Sequence, residues 1–275
     1  MVRTPPAHAT SSPTESTRSF CATTGALSEI AALFLRSHAW DLEGALLAYY
    51  YSNRSGKNTK SDRDTASAAH RKVLASFDKY KDPDADIILI DGTLAYLEDL
   101  GIAPEHCWSL TLAYFLQSPH AGEFRRDSFV EAWMRVGVTS IPDMTRYIEQ
   151  LHQQLTSTSA EFAKLYAYVF GFVRGPDRGV KTIDYKDAVS YWRLLFPECA
   201  FLANCTERLD QWYQFVEQVQ NPVSRDLWDI FLRFVLEILC TDPLNLSSYD
   251  EMSVWHSMMD EYVEWLQENN LLGER

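Results

Sequence analysis

Asp82, Asp84 and Asp86 alternate along the chain just before an apolar run. Alternating carboxylates are the opening half of an EF-hand calcium loop, which also needs glycine at its sixth position and glutamate at its twelfth. Counted from Asp82, those positions hold Ile87 and Thr93. Ile87 cannot make the sharp turn, and Thr93 cannot give two carboxylate oxygens. The segment therefore reads as a degenerate loop between helices, with a calcium-binding, EF-hand-like regulatory protein as the alternative. Other chemistry is hard to find. The chain lacks G-x-x-x-x-G-K-[ST], G-x-G-x-x-G, G-x-S-x-G and H-E-x-x-H, and its seven histidines are scattered. Cys21, Cys107, Cys199, Cys205 and Cys240 are odd in number and widely spaced, with no C-x-x-C. They read as buried thiols of a reducing compartment, not as a zinc site or a disulfide framework. No catalytic residue, metal ligand or cofactor site is assigned.

Two acids stand out by position. Asp226 follows Ser224, a good N-cap, and precedes the apolar Leu227, Trp228, Phe231, Leu232, Phe234, Val235 and Ile238. Asp260 lies off the stripe of Trp255, Met259, Tyr262 and Leu266, as do Glu261, Glu264 and Glu268. Such faces are either solvated acidic surface or a docking face for lysine and arginine. The segment from Pro104 to Gln117 differs. Trp108, Leu112 and Phe115 form one face, and Leu110, Ala113 and Leu116 carry apolar surface round the cylinder. It reads first as a core helix and second as the wall of a groove.

The elements that position these residues are helices. Periodicity and breakers place them at 69–80, 92–100, 104–117, 126–136, 141–155, 159–174, 184–196, 206–220, 224–240 and 254–268, with Ile87–Ile90 the main strand candidate. Before them, residues 19–53 read as a small three-helix unit broken near His38, Trp40 and Asp41. Residues 54–68 are polar and read as a linker; residues 1–18, rich in proline, serine and threonine, read as a disordered tail with no secretory h-region. The fold class is all-α. The 275 residues include 38 acidic and 25 basic side chains, a net charge of −13, and 46% hydrophobic residues. That hydrophobic fraction supports a substantial core, while the negative charge disfavours nucleic acid and favours a basic protein surface as partner. No apolar run approaches the roughly 20 residues of a membrane span, so no membrane partner is expected.

Several segments, in order, carry a resemblance. They are Lys79-Tyr80-Lys81-Asp82-Pro83, Ile90-Asp91-Gly92, Gly122-Glu123-Phe124, Tyr191-Trp192-Arg193-Leu194-Leu195, Leu209-Asp210-Gln211-Trp212-Tyr213-Gln214-Phe215, Asp226-Leu227-Trp228, and the run from Tyr249-Asp250-Glu251 through Val254-Trp255 to Met258-Met259-Asp260-Glu261-Tyr262-Val263-Glu264. Together they resemble the defective in cullin neddylation family over about residues 69–270. The 19–53 unit resembles the ubiquitin-associated-like (UBA-like) module of many members.

The resemblance implies a larger domain of EF-hand-like helix pairs. It also implies a non-catalytic, scaffold-type ligase component of the cytoplasm and nucleus. Such a protein holds the cullin C-terminal winged-helix region next to the N-terminally acetylated neddylation conjugating enzyme, and its small module is a site for ubiquitin or the neddylation modifier. The cullin-binding positions it implies are Asp226, Val254 and Asp260, with valine where the family pattern has alanine. The pocket it implies for the acetylated methionine is Ile90, Tyr96, Leu110, Leu112, Ala113, Leu116, Phe124, Phe172, Tyr191 and Leu194. Tyr96 and Leu116 stand where many relatives carry phenylalanine, and Ala121 replaces a polar residue.

Overall fold

A computed structural model describes residues 13–24, 26, 28–38, 40–42, 44–46, 49, 60–177, 179–250, 252–253 and 255–273. The chain divides into two compact units, Met1–Ala69 and His70–Arg275.

In the first unit, α1 (Pro13–Thr24) and α2 (Ser28–Ser37) pack through Phe20, Ala31 and Leu35, joined by Ala45 and Tyr49. The rings of Phe20, Phe34 and Tyr49 stack and meet edge-on at centroid distances of 5.3–6.1 Å. The chain breaks where expected: Trp40 takes φ of +65°, and the Asp41 carboxylate accepts the Gly44 N–H at 3.1 Å. Helix α1 starts at Pro13, so residues 13–18 are helical and not a disordered tail. Likewise α3 (Lys60–Tyr80) starts inside the expected linker, because residues 60–68 contain no proline or glycine to stop a helix growing back from its apolar end.

The second unit repeats one pattern. Helix α3, the Asp82–Asp86 loop, strand β1 (Ile87–Ile88) and α4 (Ile90–Leu100) form one helix–loop–strand–helix; α5 (Cys107–Phe115), β2 (Phe124–Arg125) and α6 (Arg126–Val136) form the next. After α7 (Ile141–Leu155) the pattern returns as α8 (Ser159–Arg174), β3 (Thr182–Ile183) and α9 (Tyr185–Leu195), then α10 (Thr206–Val219), β4 (Val223–Ser224) and α11 (Arg225–Phe234). Each pair is tied by a two-residue antiparallel ladder, Ile88 opposite Phe124 and Ile183 opposite Val223. A π-helical turn (Val235–Leu239) ends α11, and α12 (Ser257–Glu268) closes the unit. The unit is all-α apart from these ladders, with the EF-hand-like helix pairs anticipated from sequence.

Two cores result. Val73, Phe77, Tyr80, Tyr96, Phe129, Trp133 and Ile148 fill the first. The second holds Tyr166, Trp192, Trp212, Trp228, Phe231 and Tyr262. Trp192 and Trp228 stack at 5.3 Å, and Trp212 and Phe231 at 4.3 Å. The Tyr166 hydroxyl donates to the Trp228 carbonyl at 2.8 Å and accepts from Trp192 Nε1 at 2.9 Å, so a buried polar group is satisfied at both ends. Helix α5 serves both cores: Leu112, Phe115 and Leu116 enter the first, while Cys107, Leu110 and Ala113 enter the second. That double duty explains its apolar circumference. Gly92 lets α4 approach α3, since a Cβ there would lie 1.9 Å from the Tyr80 carbonyl oxygen.

Candidate functional site

Where the two cores meet, a cleft of about 450 Å³ opens. Helix α4 contributes Ile90, Leu94 and Leu97, and α5 contributes Leu110 and Ala113. Phe124 comes from β2, Phe172 from α8, and Tyr191 and Leu194 from α9. Ile90 and Leu94 are 53% and 42% exposed, so they form an apolar mouth open to solvent. The loop before β2 is pinned by Ser118. Its hydroxyl donates to the carbonyls of His120 and Glu123 at 2.6 and 2.8 Å, and its own carbonyl accepts from the Tyr168 hydroxyl at 2.7 Å. Gly122, at φ +77°, lies under Ile90 where a Cβ would meet Ile90 Cδ1 at 2.7 Å. Burial raises the Tyr191 phenol above its usual pKa, so it stays a protonated donor.

Seven of the ten pocket positions implied by resemblance line this cleft: Ile90, Leu110, Ala113, Phe124, Phe172, Tyr191 and Leu194. Tyr96, Leu112 and Leu116 do not. Each is fully buried in the first core, behind the wall. Helical spacing marks a residue as apolar and inward, but it cannot separate a core-facing side chain from a cleft-facing one. Thr93, Leu94 and Leu97 were missed. With Ile90 they follow the i, i+3, i+4, i+7 stripe of α4, a signal hidden by starting that helix at 92 and assigning Ile90 to a strand.

The acids occupy helix starts. The Ser224 hydroxyl caps α11 by accepting the Leu227 N–H at 3.1 Å, which leaves Asp226 exposed in the first turn. Its neighbour Arg225 bonds Asp229 at 2.7 Å, and Asp226 has no ion pair among the described residues. Asp260 lies in the first turn of α12, where it accepts the Tyr249 hydroxyl at 2.5 Å. Phe234, at the far end of α11, packs on Tyr249 and Trp255, with Arg233 stacked 4.3 Å over the Trp255 ring. Asp226 is eight residues upstream of Phe234, roughly 12 Å along the helix axis. No hydrogen bond joins the two carboxylates among the described residues. Glu261, Glu264 and Glu268 are exposed beside Asp260 and make no ion pair among the described residues. Val254 lies outside the described residues.

The calcium alternative finds no support. Asp82 accepts the Asp84 N–H at 2.9 Å, while Asp86 turns to the Arg126 guanidinium at 2.7 Å, which Asp78 also holds. Among the described residues no three histidine, cysteine or acidic side chains gather as a cation would require. The thiols of Cys107 and Cys199 are also poorly placed for nucleophilic work. Burial pushes Cys107 well up and Cys199 up to about 12, opposite to the shift that makes a reactive thiolate. No helix of the described residues is long and apolar enough to cross a membrane.

Comparison with known proteins agrees with this architecture. A family model described as "Cullin binding" matches residues 143–265, and one for a UBA-like domain matches residues 14–55. "Defective in cullin neddylation protein 1" of Candida albicans is 31% identical, over 95% of this chain and all of the relative. The protein of that name in Yarrowia lipolytica is 38% identical over 70% of this chain and 76% of its own length. The one in Eremothecium gossypii is 31% identical over 93% and 96%. The chain belongs to the defective in cullin neddylation family.

Within this family member, the shared segments divide by role. Trp192, Trp212, Trp228 and Tyr262 are fully buried and hold the second core together. Tyr191 and Leu194 flank Trp192 but face the cleft, and Asp226 lies beside Leu227 and Trp228 but faces solvent. A helix that buries one face rigidly presents its other face at fixed geometry.

Proposed function

We propose that this chain is a non-catalytic scaffold of cullin neddylation. It binds the basic winged-helix region at the cullin C-terminus through Asp226 and Asp260, with Val254 between them in sequence. It binds the conjugating enzyme by taking the enzyme's N-acetylated methionine into the cleft. The thioester stays on the conjugating enzyme and the acceptor lysine on the cullin, so no bond to this chain forms or breaks. Rate comes from proximity, since two partners held in a productive orientation react at a high effective concentration. The UBA-like unit supplies a candidate third contact, for ubiquitin or the modifier.

The cleft is the observation that carries this reading. Five elements bring Ile90, Leu110, Ala113, Phe124, Phe172, Tyr191 and Leu194 around one opening. An unbranched apolar side chain suits such a space, and burying a methionine contributes about 1.5–3 kcal/mol. A free N-terminal ammonium would lose its hydration among mostly apolar side chains, with the exposed Glu105 the one carboxylate in the lining, whereas acetylation removes the charge. Calorimetry with a peptide of the enzyme's first twelve residues tests this. The acetylated form should bind at least about tenfold tighter than the free amine. Equal affinities would contradict the assignment.

A further inference from the structure

Two of the five cysteines meet. Cys205 is the residue before α10, and Cys240 is the residue after the π-helical turn that ends α11. They are 35 residues apart in sequence, yet their Sγ atoms lie 2.6 Å from each other. A disulfide bond is about 2.05 Å long, so only a small movement separates the two thiols from a closed bond. Neighbouring bonds hold the two segments together without help from the sulfurs. The Asn204 side-chain amide donates to the Cys240 carbonyl at 2.6 Å, and the Arg208 guanidinium donates to the carbonyls of Pro243 and Leu244, the latter at 3.0 Å. None of the other three thiols meets a second sulfur at bonding distance among the described residues. The paired sulfurs are also unequal. Cys205 is fully buried and Cys240 half-buried. The hydrogen bond from Cys205 brings the Cys240 thiol below its ordinary pKa; the same bond, with burial, pushes Cys205 up. Cys240 is therefore the readier thiolate and the more accessible partner, with Cys205 directly behind it.

We infer that Cys205 and Cys240 form a modification site: a peroxide closes them into an intramolecular disulfide, and a dithiol reductant opens it by exchange, becoming oxidised in its place. The Cys240 thiolate attacks one peroxide oxygen and the O–O bond breaks. With the proton that Cys240 released, this gives a Cys240 sulfenic acid and one water. The Cys205 sulfur then bonds to the Cys240 sulfur and the S–O bond breaks. The hydroxyl leaves with the Cys205 proton as a second water. Two thiols thus lose two electrons and one peroxide gains them. Because the second sulfur is already in place, this step outruns a second peroxide that would carry Cys240 on to the sulfinic acid. The bond encloses α10, β4 and α11, the stretch that carries Asp226, and ties the start of α10 to the end of the π-helical turn.

The test uses the full chain, reduced, freed of reductant and treated with hydrogen peroxide at neutral pH. The Cys205 and Cys240 thiols should disappear together. A peptide map made by mass spectrometry without reductant should show their two peptides joined and two hydrogens lighter, and dithiothreitol should restore both thiols. Cys205→Ser should leave Cys240 as a sulfenic acid that dimedone traps. The inference is overturned if both cysteines remain open to alkylation after peroxide, if either is joined to a different cysteine, or if Cys240 reaches the sulfinic acid with no link formed. The map is made on the wild-type chain, so it decides the question even if Cys205→Ser does not fold.

Discussion

Asp226→Lys with Asp260→Lys lowers the affinity of the chain for a cullin C-terminal fragment by about 2–5 kcal/mol, roughly thirtyfold or more. Both carboxylates are available to a partner. Asp226 is exposed and has no ion pair among the described residues, and the adjacent arginine is occupied by Asp229. Asp260 is held by the Tyr249 hydroxyl, which fixes its position without neutralising its charge. Both lie in first turns, where the helix dipole favours an acid, so lysine adds a small helix penalty of about 0.3–1 kcal/mol at each site. That cost falls on stability and leaves the packed core untouched. The much larger effect is like-charge repulsion against a basic partner. Because the two acids share no hydrogen bond or ion-pair partner among the described residues, the single variants should act nearly independently, with losses that add to within about 0.5 kcal/mol. Calorimetry at two salt concentrations separates this from misfolding, because the wild-type advantage should shrink as salt rises. Unchanged binding by the double variant would remove the acidic surface from the account.

Arg208→Ala destabilises the second unit by about 3–5 kcal/mol. Arg208 is 5% exposed at the start of α10. Its guanidinium donates to the Gln211 side-chain oxygen at 2.6 Å and to the backbone carbonyls of Leu244 and Leu271 at 3.0 and 2.9 Å; the Pro243 carbonyl takes a further bond from Nε. The Arg208 carbonyl accepts the Tyr262 hydroxyl at 2.7 Å. One residue therefore joins α10, the turn after the π-helical segment, and both α12 and the chain beyond it. Removing the side chain takes that donor from three partly buried carbonyls, of which only the Leu244 carbonyl keeps another, the Gly273 N–H, among the described residues. Lysine offers a single ammonium that cannot reach them all, so Arg208→Lys should recover only part of the loss. Urea denaturation reads this as a lower midpoint at unchanged slope. A change under 1 kcal/mol in Arg208→Ala would show that water or nearby groups satisfy the carbonyls.

Much of this architecture was legible in the residues. Helices α6, α7 and α8 fall at the expected 126–136, 141–155 and 159–174, because Gly137, Ser140, Thr158 and Gly175 punctuate them strongly. Helix α5 is shorter than the expected 104–117, because His106 takes the N-cap and accepts the Trp108 N–H through Nδ1. Helix α12 begins at Ser257 and not at 254, since His256 caps it in the same way. Strands β2, β3 and β4 were not legible, since two residues are too few to display an alternating pattern. The acids were legible by sign and location. The cleft was legible as a set of apolar residues but not as a surface. Leu112 and Leu110 are both apolar and close on one helix, yet one lines core and the other cleft, and only the arrangement of two cores around α5 decides which.

The most direct measurement is the rate at which the modifier passes from its preloaded conjugating enzyme to the cullin lysine, with and without this protein at subsaturating partner concentrations. The account predicts acceleration of at least about tenfold from co-localisation, abolished by Asp226→Lys/Asp260→Lys and by competing acetylated peptide. A transfer rate that does not change when the protein is added would contradict it.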